Sequence, residues 1–259
     1  IVWTVHNASA HDYPHPLIDS IGRGMIRMFS AAIVLHQETT RSAYASRYPG
    51  KKIYYVPHGN YVGAYGLPVP RDRALRTSFG FGDDDIVLGS LGVITPYKCN
   101  ERIIDVVRGV RAHMPHLKLL IAGKGTSEYV DTLIQRLKGD PGIIIQNRFI
   151  PETELSHYLS ATDYSVFDYG QSGLTSGRML LSLSYGVPVI TRRIPAAEII
   201  NDLNGYVFES DSELADILKS LRPVSGSMQE KCSRDIIDDI RRFDWSYSAE
   251  KLIRIYGEV

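Results

Sequence analysis

The chain has 259 residues, 44% of them apolar, with Lys plus Arg matched to Asp plus Glu at 29 each. That length holds one large domain or two ordinary ones, and that apolar share builds a full core, which excludes a disordered chain. The charge balance carries no global signal for nucleic acid or an anionic membrane, so no nucleic-acid partner is expected. Cys99 and Cys232 are the only cysteines. Two thiols make neither a disulfide framework nor a zinc site, and they point to a reducing, cytoplasmic setting. No apolar run is long enough to cross a bilayer, and no signal peptide is visible.

The opening IVWTV reads as a buried strand, so the chain is expected to be a fragment, or to have a beginning that is not included. Strands are predicted over 1–5, 32–35, 52–56, 86–92, 117–122, 142–146, 163–167, 187–191 and 205–208. Helix-period segments lie between them. In one, Ile103, Val106, Val107, Val110 and Met114 recur every three to four residues, while Arg102, Asp105, Arg108 and Arg111 face away. Short apolar strands separated by helices mean an α/β fold with a parallel sheet covered on both faces.

The three early strands read as the closing part of a first domain, over 1–62. Residues 63–84, with GLPVPRDR and GFGDDD, have linker composition. A complete doubly wound domain is expected over 85–243. Within it, Ser210 and Glu213 have capping-box spacing. A terminal helix over 244–259 places Trp245, Ala249, Leu252 and Tyr256 on one stripe.

Ligands of doubly wound sheets bind at the carboxyl ends of the strands. After the 163–167 strand, Ser172, Gly173, Thr175, Ser176 and Gly177 lead into an apolar segment, predicting a helix from about Thr175 to Tyr185. Its free N–H groups and partial positive charge suit a diphosphate. An ordinary polar cap facing water fits the same spacing. Lys98 stands just before the helix at 100–114 and on the same sheet edge, beyond Gly89 and Gly92. There it is either a point charge for phosphate or a solvated surface lysine. IAGKG at 121–125 is a third glycine-containing exit on that edge, which tips the balance toward an anion site.

These stretches resemble the GT-B glycosyltransferases of the retaining family-4 (group 1) type. GVITPYK resembles the family's GRLxxxK, LLIAGKG its LxIxGxG, and RFIPETELSHYLSATDYSVF its GxVxxxELxxLYxxADxxVxP. SLSYGVPVI and AAEIINDLNGYVF follow in the same order, and WTVHN, YYVPHGN and the terminal helix are similar to first-domain and closing stretches. The resemblance implies two Rossmann-like domains around a cleft: a partial N-terminal acceptor domain and a complete C-terminal nucleotide-sugar domain. It implies a nucleoside diphosphate sugar as donor, no other cofactor, no metal, and a saccharide or lipid-linked acceptor. Peripheral membrane contact would come through the first domain. By position, Lys98 would meet the diphosphate with the N–H groups near Ser176 and Gly177. Phe149 and Ile150 would hold the base, and Ser172, Gly173 and Thr175 would complete the donor loop. His6 matches a catalytic cleft histidine, with a backbone-bonded strand-end histidine as the equal alternative. Glu198 follows the GVPVI strand in the family's usual position, and reads otherwise as a surface helix start. His11 and His15 read as loop residues, with the acceptor side as the alternative.

The chain departs from the family where two acidic residues would fall on Gly173 and Leu181, and where an arginine would fall on Val93. Its TSG turn is similar to that of a subset of the family. Two rival readings follow: a non-catalytic nucleotide-sugar-binding homologue, and an enzyme like the sugar-nucleotide 2-epimerases.

Overall fold

The computed structural model describes residues 1–6, 16–68, 71–170, 174–223 and 226–259. β1 (Val2–Val5), β2 (Ala32–Leu35) and β3 (Lys52–Tyr55) form a parallel sheet in that order. α1 (Pro16–Phe29) connects the first two strands and α2 (Arg41–Arg47) the last two. β2 is apolar and buried at all four residues, as a strand covered on both faces must be. Leu17, Ile18, Met25 and Phe29 of α1 are exposed. No helix among the described residues is long and apolar enough to cross a membrane.

The second sheet holds β4 (Ile86–Leu91), β5 (Leu117–Gly123), β6 (Ile143–Asn147), β7 (Tyr164–Phe167), β8 (Val189–Arg192) and β9 (Gly205–Phe208). All pairings are parallel, in the order β6-β5-β4-β7-β8-β9. α4 (Asn100–Arg111), α5 (Ser127–Leu137), α6 (Glu152–Ser160), α7 (Gly177–Ser184) and α8 (Asp211–Ser220) cover its faces, with α9 (Gly226–Ile240) behind α7. The chain winds one way from β4 to β6 and the other way from β7 to β9. The reversal therefore falls between β4 and β7, and a crevice opens beyond their carboxyl ends. All nine predicted strands form, with ends shifted by at most two residues.

Two local expectations need correction. The stretch read as a linker carries a helix, α3 (Arg73–Ser78), capped by Asp72 and docked by Arg76, which is 1% exposed. α10 (Trp245–Glu258) forms as expected; of its stripe Leu252 packs on the first unit, while Trp245 and Tyr256 are 51% and 58% exposed. Its inward face is set by contact with the first sheet. The Ser248 hydroxyl donates to the Pro57 carbonyl at 2.7 Å, and Leu252 and Ile255 join Val34 and Val56. The helix predicted from Thr175 begins only at Gly177, because Ser176 has extended backbone and acts as the N-cap.

Candidate functional site

The crevice between β4 and β7 is built from the loops that leave those two strands. On the β4 side, the Gly92 N–H donates to the Ala122 carbonyl and the Ile94 N–H to the Lys124 carbonyl, both at 2.9 Å. These bonds stitch the β4 and β5 exits together. The Gly125 N–H extends the stitch by donating to the Asn147 side chain at 2.9 Å. Gly92 sits at a φ of 111°, and a Cβ there would lie 2.5 Å from the Cδ of Arg178. Val93, Ile94, Thr95 and Pro96 face Lys124, Gly125, Thr126 and Ser127 across an open cavity of about 600 Å³.

Lys98 ends a 3-10 turn over Pro96–Lys98 and is 6% exposed. This buried placement disposes of the solvated-surface reading. Its Nζ donates to the Val93 carbonyl and lies 5.4 Å from the Tyr97 ring centroid. Tyr97 stacks on Tyr169 at 6.5 Å, which joins this turn to the β7 exit.

On the β7 side, Asp168 is 1% exposed. It accepts from Arg192 at 2.9 and 3.1 Å, from Arg102 at 3.3 Å and from the Gly170 N–H at 2.8 Å. The chain is thereby held as far as Gly170. Ser172 and Gly173 lie outside the described residues, as do His11 and His15. The Ser176 hydroxyl caps α7 by accepting from the Met179 N–H at 3.3 Å, and its oxygen lies 2.6 Å from that of Tyr169. Its side chain is therefore committed to the fold. The N–H groups of Gly177 and Arg178 find no acceptor among the described residues. A Cβ at Gly177 would come within 3.0 Å of the Tyr61 hydroxyl, so the helix start also abuts the first unit.

Thr175 donates its hydroxyl to the His6 carbonyl at 3.0 Å, so His6 and the α7 mouth meet through a backbone bond. Phe149 and Ile150 follow β6. Phe149 is 71% exposed, whereas Ile150 packs on the cluster around Phe81 and Leu120. Among the described residues no group of three His, Cys, Asp or Glu side chains is placed to hold a metal ion.

Two residues escaped the sequence reading. His36 and His58 follow β2 and β3, as His6 follows β1. The His6 and His36 ring centroids are 4.9 Å apart, and those of His36 and His58 5.7 Å. His36 Nδ1 donates to the Val56 carbonyl and His58 Nδ1 to the Gly59 carbonyl, each at 2.8 Å. Burial pushes both imidazoles below their ordinary pKa against the pull of those bonds, and neighbouring histidines push the same way. The pair is thus held neutral, with Nδ1 protonated and Nε2 an acceptor. His36 Nε2 is buried and has no partner among the described residues. Both rings line a cavity of about 20 Å³, shared with Thr175, Ser176 and Glu198, with room for one water. The signal was present in the strand ends: three parallel strands, each followed at once by, or within three residues of, a histidine.

Glu198 is no plain surface residue. Its carboxylate accepts from the N–H groups of Glu38 and Thr39, both at 3.0 Å, and from the Thr39 hydroxyl at 2.8 Å. It caps a short turn of the first unit from the second.

Two parallel sheets, with a site at the reversal of the second and histidines at the edge of the first, define the GT-B architecture. Residues 85–222 match the family described as glycosyl transferases group 1, and the chain belongs to that family. It is 24% identical over 268 residues to a D-inositol 3-phosphate glycosyltransferase of Stackebrandtia nassauensis, a match covering 96% of this chain and 59% of that protein. It is 29% identical over 172 residues to a GDP-mannose:glycolipid 4-beta-D-mannosyltransferase of Xanthomonas campestris, covering 64% of this chain and 47% of that one. The chain thus spans about half the length of these curated relatives. Among solved structures, Anabaena HepE in complex with UDP and glucose superposes with a TM-score of 0.77 at 16% identity, covering all of this chain and 71% of its own.

Proposed function

We propose that this chain forms the donor site and part of the acceptor face of a glycosyltransferase. It would move a sugar, with retention, from a nucleoside diphosphate sugar to a saccharide or lipid-linked acceptor. One observation carries the reading: buried Lys98 and the open N–H groups of α7 converge on the crevice at the β4/β7 reversal. Negative charge grows on the departing diphosphate in such a transfer, so preorganised donors there stabilise the transition state more than the ground state. The UDP of the HepE complex and the GDP-mannose in the Xanthomonas enzyme's name support the donor class. The exposed apolar face of α1 supports a peripheral lipid contact beside a lipid-linked acceptor.

In this reading Lys98 and the α7 mouth bind the diphosphate, and Phe149 and Ile150 border the base. His6 orients the donor sugar from the first sheet. The test is calorimetry with UDP and GDP. Lys98→Ala should weaken binding by about 1.5–3 kcal/mol, the loss of one charge-assisted hydrogen bond. Unchanged affinity in a folded variant removes Lys98 from the site.

Leu181 favours a second reading. It stands where the family places an acid, and it packs on an apolar cluster containing Tyr185 and Phe81. A binder of nucleotide sugars without transfer would need no carboxylate there. Donor turnover measured with and without a saccharide acceptor separates the two.

A further inference from the structure

Arg178 is the second residue of α7, and its side chain crosses the crevice to the opposite loop. Nη1 donates to the Leu91 carbonyl at 2.5 Å, beyond β4, and Nη2 donates to the Tyr169 hydroxyl at 3.2 Å, beyond β7. The guanidinium carbon lies 4.8 Å from the Phe167 ring centroid and 5.4 Å from that of Tyr169. Its stem passes over Gly92, where any side chain would collide with it. This cation is therefore built into the point where the sheet reverses.

Its electrostatics are incomplete. Arg71, Arg76, Arg111 and Arg192, whose side chains are at most 13% exposed, all pair with carboxylates. Arg178 is half-buried and has no carboxylate partner among the described residues. Aromatic faces and a carbonyl offset only part of the desolvation of a guanidinium. A guanidinium also carries five N–H donors in a planar fork, and these two bonds use few of them. Lys98 holds the Val93 carbonyl two residues along the same loop, and the open N–H groups of Gly177 and Arg178 lie at the base of the side chain. Val93, more than half exposed, brings no charge to that loop.

We infer that Arg178 is a diphosphate-binding residue of this site, the missing counter-charge being supplied by the ligand; this rests on the donor reading above. The cation reaches the β4 loop from α7, so ligand binding would also tie the two sides of the reversal together.

The test compares wild type, Arg178→Gln and Arg178→Lys by calorimetry with UDP, GDP, uridine and guanosine. Melting curves are recorded alongside. Arg178→Gln should lose at least tenfold in affinity for the diphosphate that wild type binds, with the matching nucleoside unchanged. Arg178→Lys should lose less, because the charge remains while the fork is gone. Unchanged diphosphate affinity in Arg178→Gln overturns the inference. So does an equal loss for nucleoside and diphosphate, which would make the side chain only a staple between loops. Should Arg178→Gln not fold, Arg178→Lys decides alone: a severalfold loss confined to the diphosphate supports the assignment, and no loss overturns it. Wild type that binds neither UDP nor GDP overturns the donor reading itself, a result distinct from a diphosphate site indifferent to Arg178.

Discussion

Asp163 and Asp168 flank β7, both are buried, and each meets two arginines, yet the two ends of the strand are finished differently. At the amino end, Asp163 takes Arg76 at 3.1 Å, Arg71 at 3.1 Å and the Val87 N–H at 2.7 Å. Burial pushes its carboxyl above the usual range, opposed by Arg76 and then Arg71. Arg76 spends its other donors on the carbonyls of Ala161, Gly82 and Asp85. Two arginines stand against one carboxylate, and the buried Nε atoms of Arg71 and Arg76 have no hydrogen-bond partner among the described residues; the cluster is a rivet that fastens α3 to the sheet. At the carboxyl end, Asp168 takes Arg192 and Arg102, which also reach Asp211, and Lys98 and Arg178 bond to carbonyls of the neighbouring β4 exit. The same pairing of one aspartate with two arginines fastens a helix at one end of the strand and stands at the ligand-bearing carboxyl edge of the sheet at the other.

The largest expected effect tests the rivet. Asp163→Asn leaves Arg76 buried beside a neutral amide and should cost about 3–5 kcal/mol of unfolding free energy, read from the urea midpoint. Asp168→Asn should cost less, about 1–3 kcal/mol, because Arg102 is 41% exposed and Arg192 retains Asp211. If Asp168→Asn proves the costlier of the two, the carboxyl end is the structural one and the contrast between the ends collapses.

The smallest effect lies across the cleft, where neutral histidines stand in place of paired ions. His36 and His58 have folded pKa values below 6.5. Between those values and 6.5 the unfolded chain binds more protons, so their contribution is present above 6.5 and is lost as pH falls through the folded values. The melting temperature should therefore drop by about 2–4 °C between pH 7.5 and 5.5, and less in a His36→Gln, His58→Gln double variant. Equal drops in both proteins would assign the acid sensitivity to the carboxylates instead.

The strands were legible because buried parallel strands are continuous apolar runs, as in AIVL and DYSVF. The sheet edge of the site was legible as well, since Lys98 and the small residues before α7 must lie where parallel strands end. Cap geometry was not. Ser176 and Thr175 look alike in sequence, and only tertiary contacts decide that one caps α7 while the other reaches His6. Arg178 was invisible because its importance depends on Gly92, 86 positions earlier, and on its having no carboxylate partner among the described residues. His36 and His58 gain meaning only when β2 and β3 lie side by side.

The Glu198 contact is one of several that join the two units across the cleft. One half-buried carboxylate accepts three hydrogen bonds from the turn after β2, and surface contacts of this kind are individually weak. α10 touches the first unit independently, through Ser248 and Ile255. Joined through Glu198, through Thr175 and His6, and through α10, the two units present the strand-end histidines of the first sheet and the mouth of α7 together, as two walls of one cleft.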